Sequence, residues 1–188
     1  MAYHSGTKHG RVEDADPLEK FEYGNSVAFR YDIFDPYPSI YSECDVIYGE
    51  PPWRAGSKVF DERLGIVGRQ FTQLTKRLSN LIAEVDIPVI MVCGTWGEDL
   101  LPKPDEMAKA FIKGAIGDCF IYTYRTGMPE ITPDIGPLPA ITQKYNVIGD
   151  WFCGYGNTAL AAIKANKRFI ISDYDPRCIG FIKKSLND

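Results

Sequence analysis

The chain has 188 residues, 45% of them hydrophobic and 24% charged, with a formal net charge of −4 at pH 7. This composition predicts one soluble globular domain; no apolar run of about 18 residues and no secretory signal are visible, so we expect a cytoplasmic protein without a membrane span. The acidic balance argues against tight, non-specific binding of nucleic acid through phosphate contacts alone.

The N-terminal stretch, residues 1–20, is polar and without periodicity. We expect it to form a flexible arm, followed by a single domain over residues 21–188. The two histidines, His4 and His9, lie in this arm, so no zinc site is predicted. The five cysteines are spaced apart, mostly in or beside apolar runs, which favours buried reduced thiols over disulfides.

Strands are predicted where apolar residues alternate with polar ones or form short unbroken runs: residues 25–34, 45–48, 88–93 and 119–124. Apolar residues at helical spacing predict a long helix over residues 64–85 and a shorter one over residues 104–113. Residues 126–139 contain four prolines and two glycines, which predicts an extended loop.

Residues 145–175 read YNVIGDWFCGYGNTALAAIKANKRFIISDYD and have the pattern of a strand, a glycine-rich turn, a helix and a second strand. The strands are expected at residues 147–150 and 169–171, the helix at residues 158–165, and a closing helix at residues 176–186. Because strands alternate with helices along the chain, we predict an α/β fold with a mostly parallel sheet and helices on both faces.

The glycine-rich turn has the spacing of a nucleotide-binding turn. Such glycines let the backbone approach a ligand at a helix N-terminus, and an acid about 20 residues further on holds ribose hydroxyls. Gly154, Gly156 and Ala159 fit the spacing GxGxxG/A, and Asp173 lies where the acid is expected. A tight strand-to-helix turn without a ligand would use the same glycines, so the spacing alone leaves both interpretations open.

The stretch DWFCGYGNT, residues 150–158, followed by RFIISDYDP, residues 168–176, resembles motifs I and II of the S-adenosylmethionine-dependent amino-methyltransferases of DNA. The resemblance implies a class I methyltransferase (Rossmann-like) fold and S-adenosyl-L-methionine as cofactor. The cofactor-binding residues that it implies are Asp150, Phe152, Cys153, Gly154, Gly156, Thr158 and Asp173. The chain departs from the usual pattern at Trp151, Tyr155 and Asn157, which changes the shape of the pocket and keeps its backbone donors.

A second motif, DVIYGEPPW at residues 45–53, ends a predicted strand, where ligands bind in open α/β sheets. It resembles motif IV of the same family, closest to the DPPW form of N6-adenine enzymes. The resemblance implies a catalytic set of Glu50, Pro51, Pro52 and Trp53. In this interpretation Glu50 and the Pro51 carbonyl accept hydrogen bonds from the target amine, which favours in-line attack, and Trp53 stacks on a flipped base.

Glu50 stands where the family has Asp, Asn or Ser, and its extra methylene displaces the carboxylate by about 1.5 Å if the backbone stays in place. Two outcomes are therefore open: an active enzyme, or a catalytically weak or inactive scaffold that supports a partner. The PPW motif precedes the glycine motif, which is the circularly permuted order of one class of these methyltransferases and of the mRNA adenine methylase family.

The predicted reaction is methyl transfer to the N6 amine of adenine, in DNA rather than RNA, by direct displacement without a metal. The alternatives are cytosine N4, adenine in RNA and a nucleotide-sized amine. Four basic residues near the PPW motif either meet phosphates or form a solvated face: Arg54, Lys58, Arg63 and Arg69. No separate target-recognition domain is predicted, so specificity would come from loops, a homo-oligomer or a protein partner. The small size suits a phage or mobile-element gene.

Overall fold

The fold is built on a mixed sheet, seen in a computed structural model that describes residues 12–52, 71–110, 118–132 and 135–187. The strands are β1 (Lys20–Tyr23), β2 (Ser26–Arg30), β3 (Val46–Gly49), β4 (Val89–Gly94), β5 (Glu106–Ala110), β6 (Cys119–Tyr124), β7 (Val147–Asp150) and β8 (Arg168–Asp173). The α-helices are α1 (Phe71–Glu84), α2 (Trp96–Leu100), α3 (Pro137–Lys144), α4 (Asn157–Lys164) and α5 (Pro176–Asn187). Two short 3-10 helices span Val12–Asp14 and Ser39–Glu43.

The sheet has the order β1-β2-β8-β7-β3-β4-β6-β5. Five strands are parallel to one another: β2, β8, β7, β3 and β4. The other three, β1, β6 and β5, are antiparallel to their neighbours. From β7 the chain proceeds to β8 on one side, and from β3 it proceeds to β4 on the other. The gap between β7 and β3 is therefore a topological switch point, at whose carboxyl edge open α/β sheets bind ligands.

Helices cover both faces of the parallel strands, because successive strand side chains point to opposite faces and both sets are apolar. Helix α1 packs Leu78 against the face that includes Ile47 and Met91. Helices α3, α4 and α5 cover the opposite face, which includes Val46 and Ile90. Each fully buried apolar side chain contributes roughly 1.5–3 kcal/mol to the stability of the fold. Packing on both faces therefore stabilises the sheet edge that carries the polar motifs.

Most of the predicted elements are confirmed. The confirmed strands are those expected at residues 25–34, 45–48, 88–93, 119–124, 147–150 and 169–171, with the first of them ending early, at Arg30. The helices expected at residues 158–165 and 176–186 are confirmed within two residues, as is the mostly parallel α/β fold. The long predicted helix is described from Phe71 to Glu84, and residues 64–70 lie outside the described residues.

The prediction of a helix at residues 104–113 is wrong where the structure describes it, because Glu106–Ala110 is the edge strand β5. These residues, EMAKA, all have high helix propensity, but an antiparallel ladder to β6 overrides it. Lys109 and Asp118 reinforce this ladder through an exposed ion pair of 2.6 Å. Local preference was overridden here by a neighbouring strand.

The prediction of an extended loop over residues 126–139 is wrong at its C-terminal end, because α3 begins at Pro137. Proline is well suited to the first position of a helix, where its missing N–H would have no partner and its fixed φ angle is already helical. The number of prolines in this stretch concealed the start of the helix.

Part of the predicted N-terminal arm packs against the last helix. Val12 is buried against Cys178 and Phe181, and the Leu18 N–H donates to the Pro176 carbonyl over 2.9 Å. Residues 1–11 lie outside the described residues. All five cysteines are buried and unpaired. None of the described helices is long and apolar enough to cross a membrane.

Candidate active site

Both sequence motifs lie at the carboxyl edge of the switch point. Asp150 ends β7 and pairs in register with Tyr48 of β3, and Glu50 follows the last residue of β3. Residues 50 and 150 are far apart in sequence, yet the β3–β7 pairing places them at the carboxyl ends of adjacent strands. The fold therefore brings the glycine motif and the PPW motif to one edge.

The glycine-rich turn after β7 requires glycine at two positions. Gly154 has a φ angle of +47° and Gly156 one of +77°, values that L side chains rarely adopt. A Cβ atom at Gly156 would also lie only 2.6 Å from Cγ1 of Ile182 in α5. The Gly156 N–H donates to the Cys153 carbonyl over 2.7 Å, and the Cys153 N–H donates to the Ser172 carbonyl of β8 over 2.9 Å. The turn is thus fixed by backbone bonds and by close packing.

Asp150 is a buried acid with two donors. Its Oδ1 accepts the Phe152 N–H over 2.8 Å and its Oδ2 accepts the Thr158 hydroxyl over 2.5 Å. Desolvation raises the pKa of Asp150 to about 8, against the lowering effect of these two donors, and the charges of Glu50 and Asp173 add to the rise. A cation near this carboxylate would reverse much of that rise.

Asp173, at the end of β8, is also buried and turned toward the glycine turn. Its Oδ2 accepts the Gly154 N–H and its Oδ1 accepts the Asp175 N–H, each over 2.9 Å. Burial raises the pKa of Asp173 to about 6, and the backbone donors oppose this rise. Asp175 has a structural role, because its carboxylate binds the Arg177 guanidinium at 2.6 Å and accepts the Arg177 N–H at the start of α5.

Glu50 interacts with the strand that precedes it. The Tyr48 hydroxyl donates a short hydrogen bond to Glu50 Oε1. Desolvation by the surrounding protein raises the pKa of Glu50, and the hydrogen bond from Tyr48 opposes this rise. Glu50 keeps solvent-accessible surface, Pro51 is buried and Pro52 is half-buried. Trp53 lies outside the described residues, as do the four basic residues of the sequence analysis.

A cavity of about 270 Å³ lies at the switch point. Its walls come from both motifs and from the start of α3: Tyr48, Glu50, Gly136, Pro137, Leu138, Pro139, Asp150, Phe152, Cys153, Asn157 and Thr158. Five of the predicted site residues line it, whereas Pro51, Pro52, Gly154, Gly156 and Asp173 do not. Asp173 acts on the other side of the turn, through the Gly154 N–H.

Sequence reasoning missed three parts of the cavity wall: Tyr48, Asn157 and residues 136–139. Tyr48 had a signal, because residues i and i+2 of a strand share a face and Glu50 follows two residues later. Pro137 at a helix start was a second signal. Asn157 was noted only as a departure from the family pattern.

The electrostatics of the cavity suit a ligand that carries positive charge and an anionic end. Glu50 and Asp150 face one space, and the charge of Glu50 helps to raise the pKa of Asp150. Asn157 and Thr158, at the N-terminus of α4, also line the cavity, and a helix N-terminus favours negative charge. Among the described residues, no group of three or more His, Cys, Asp or Glu side chains is placed to hold a metal ion.

Comparison with solved structures supports the fold. The structure is similar to that of M1.HpyAVI in its complex with SAM, with a TM-score of 0.53, 13% identity, and coverage of 86% of this chain and 98% of that one. A second structure of M1.HpyAVI gives a TM-score of 0.51 and 15% identity over the same shares. The chain thus has the Rossmann-like fold of class I methyltransferases.

A more distant likeness, with a TM-score of 0.46, is to TTHA0409 of Thermus thermophilus, which is assigned as a DNA modification methylase and was solved with S-adenosyl-L-methionine. It has 14% identity and covers 74% of this chain and 84% of that one. At this TM-score the likeness does not bear on the fold. No family model matches the chain, and no curated protein matches it.

Proposed function

We propose that this chain is an S-adenosylmethionine-dependent methyltransferase that acts on the N6 amine of adenine in DNA. The observation that carries the proposal is the meeting of Asp150 and Glu50 at one cavity, at the switch point where this fold binds ligands. The motif resemblance and the SAM complex of M1.HpyAVI agree with it.

The residues present fit the cofactor. When bound, S-adenosylmethionine supplies a methyl group on a positively charged sulfur, and it also carries an amine and a carboxylate. Asp150, buried and with a raised pKa, is a suitable partner for the amine. The α4 N-terminus at Asn157 and Thr158 is suited to the carboxylate. The cavity is near the lower end of the roughly 300–1,000 Å³ typical of ligand sites, which suits one part of such a molecule.

Asp173 is proposed to hold the ribose hydroxyls. A carboxylate has about four lone-pair sites; the Gly154 and Asp175 N–H groups use two of them and the Cys178 thiol interacts with a third. The site that remains is proposed to accept a ribose hydroxyl. Phe152, Cys153, Gly154 and Gly156 would meet the cofactor through the backbone of the turn, where the glycines permit close approach.

At the acceptor side, Glu50 and the Pro51 carbonyl are proposed to accept the two N–H groups of the target amine, and Trp53 to stack on the base. The amine of adenine is a weak nucleophile because its lone pair is delocalised into the ring. Two fixed acceptors favour a more tetrahedral nitrogen whose lone pair is directed at the methyl carbon. An ionised Glu50 is a stronger acceptor than the protonated acid, so a cation in the cavity would also favour the reaction.

The first test is calorimetric titration of the protein with S-adenosylmethionine and S-adenosylhomocysteine. Micromolar affinity for both is the expected result, and absence of binding to either would overturn the proposal. Methyl transfer is then measured with radiolabelled cofactor on DNA and RNA, and the products are identified as N6-methyladenine or N4-methylcytosine. The last step separates the proposed acceptor from the alternatives, cytosine N4 and adenine in RNA.

A second candidate function, a catalytically weak or inactive scaffold, is favoured by one observation: the Glu50 carboxylate is longer than the family's acid and is held by Tyr48. Misplacement of a reacting group by about 1 Å can cost roughly a hundredfold in rate. Exchange of Glu50 for Asp separates the two functions. Activity in either form supports an enzyme, and cofactor binding without activity in both forms supports the scaffold.

A further inference from the structure

Tyr48 is a cavity residue that lies in the stretch DVIYGEPPW but outside the proposed catalytic set, Glu50 to Trp53. It lies on β3, is 2% exposed, and pairs in register with Asp150 of β7. Its side chain lines the cavity together with Glu50. The Tyr48 hydroxyl donates to Glu50 Oε1, so the buried ring connects the strand to the carboxylate at its end.

The length of the glutamate makes this bond possible. Residues 48 and 50 lie two apart along an extended chain, so their side chains leave the same face. The tyrosine places its hydroxyl well beyond its own Cβ, and an aspartate at position 50 would end about 1.5 Å short of the glutamate carboxylate. Within the described part of the chain, the second oxygen, Oε2, accepts no hydrogen bond. One oxygen is held and the other is left for a ligand.

We propose that Tyr48 is a positioning residue that fixes the Glu50 carboxylate, so that the longer acid presents Oε2 to the acceptor amine. The inference rests on the proposed methyltransferase function and adds to it a residue that determines how Glu50 works. In this role Tyr48 acts through Glu50.

The charged and titratable groups around Glu50 make the bond from Tyr48 important for ionisation. Asp150 on β7 faces the same cavity, and Cys119 on β6 is raised in pKa partly by the charge of Glu50. Both neighbours are acids, so neither stabilises a negative Glu50. Tyr48 is the described donor that does. Its removal therefore changes the pKa of Glu50 as well as its orientation.

The experiment is NMR titration of protein labelled with ¹³C at the Glu side-chain carboxyl. Glu50 is assigned by its loss in Glu50→Gln. In Tyr48→Phe the pKa of Glu50 should rise by about one unit, because a hydrogen bond to the charged form is lost. The matched control is Tyr124→Phe, which removes another buried hydroxyl, bonded to the Pro102 carbonyl over 3.1 Å, and should leave Glu50 unchanged. An unchanged pKa in folded Tyr48→Phe would overturn the proposal.

A second measurement does not require the Tyr48 variant to fold. In the wild type, the ¹³Cζ resonance of Tyr48 should titrate with the pKa of Glu50, and this step should disappear in Glu50→Gln. A Tyr48 resonance that shows no such step counts against the inference.

Methyl-transfer activity provides the final comparison. Tyr48→Phe should lower turnover about tenfold when it is made in the wild type. The same substitution should have little effect in the Glu50→Asp variant, whose carboxylate no longer reaches the Tyr48 hydroxyl. Equal loss in both backgrounds contradicts the positioning role. If no form transfers methyl groups, the proposed function fails, and the two titrations still decide whether Tyr48 holds Glu50.

Discussion

The turns that follow β7 and β3 lie side by side at the same sheet edge but are held in different ways. The turn after β7 is fixed mainly through its backbone: two positive-φ glycines, the Gly154 N–H bond to the Asp173 carboxylate, and the Cys153 N–H bond to the Ser172 carbonyl of β8. At the end of β3 the acid is held by a side chain, through the hydroxyl of Tyr48. A backbone scaffold resists most substitutions except at the glycines and at Asp173, which accepts its N–H group, whereas the contact at Glu50 can be lost by removing one atom.

The carboxylates show the same contrast. Asp150 and Asp173 accept bonds from groups of the turn itself, and both keep raised pKa values because burial outweighs those bonds. Glu50 is exposed and, among the described residues, has one donor, Tyr48. We infer that the β7 side is preformed to bind a cofactor, and that the β3 side tunes the reaction.

The largest expected effect is at Gly156. Alanine there combines a positive φ angle with a Cβ atom 2.6 Å from Ile182, so we expect a loss of about 3 kcal/mol in the free energy of unfolding. Gly154→Ala is the matched control in the same turn, since its Cβ would meet nothing closer than 4.0 Å, and should cost about 1 kcal/mol. Urea denaturation measures both. Equal losses would show that close packing against α5 does not fix the turn.

The next effect is on cofactor affinity. Asp150→Asn keeps an acceptor for the Phe152 N–H, and its amide can donate to the Thr158 oxygen, so the fold should persist. Loss of the charge should weaken binding of S-adenosylmethionine about a hundredfold, the size of a charged hydrogen bond. Calorimetric titration measures this, with urea denaturation to check folding. Unchanged affinity would remove Asp150 from the proposed site.

Asp173→Asn, unlike Asp150→Asn, should destabilise the fold. One oxygen of Asp173 must accept the Gly154 N–H and the other the Asp175 N–H, so an amide group would face a backbone donor at one of the two positions. We expect a loss of about 2 kcal/mol in the free energy of unfolding, because a buried donor is left without a partner. A variant as stable as Asp150→Asn would show that the bonds of Asp173 do not hold the turn.

The smallest predicted effect is a pH dependence that comes from Asp150. Its folded pKa of about 8 lies above the ordinary value of 3.8, so between those values the folded state binds the extra proton. The free energy of unfolding should therefore fall as pH rises through this window, by about 1 kcal/mol between pH 7 and 8. Thermal and urea unfolding of the wild type and Asp150→Asn at both pH values isolates the effect. Parallel pH profiles would show that Asp150 titrates normally.

Local pattern was enough to predict most elements and both motifs. The turn after β7 could be recognised because its constraints act within a few residues: glycines where φ is positive, and an acid at each end of the turn-and-helix unit. The acid pair Asp173 and Asp175 was noticed as well, but only the structure separated their roles, with Asp175 bound to Arg177 and Asp173 to the turn.

Errors arose where a distant strand decided the outcome. Residues 106–110 are composed of helix formers and became a strand because β6 offered a ladder. The start of α3 was hidden by prolines whose meaning depends on the helix that follows them. The same helix start forms a wall of the cavity, which neither sequence motif predicted.

The sequence by itself determined most of the strands and helices, the glycine turn, and the acids placed at strand ends, because each depends on backbone preference and periodicity over a few residues. Tertiary structure decided that β3 and β7 are neighbours, a pairing supported by the Asp45 carboxylate, which accepts the Asn146 and Val147 N–H groups over 2.8 and 2.9 Å. Pairing across a hundred residues is selected by burial of both sheet faces, which local pattern does not encode. That pairing brings Glu50, Tyr48 and Asp150 to one cavity.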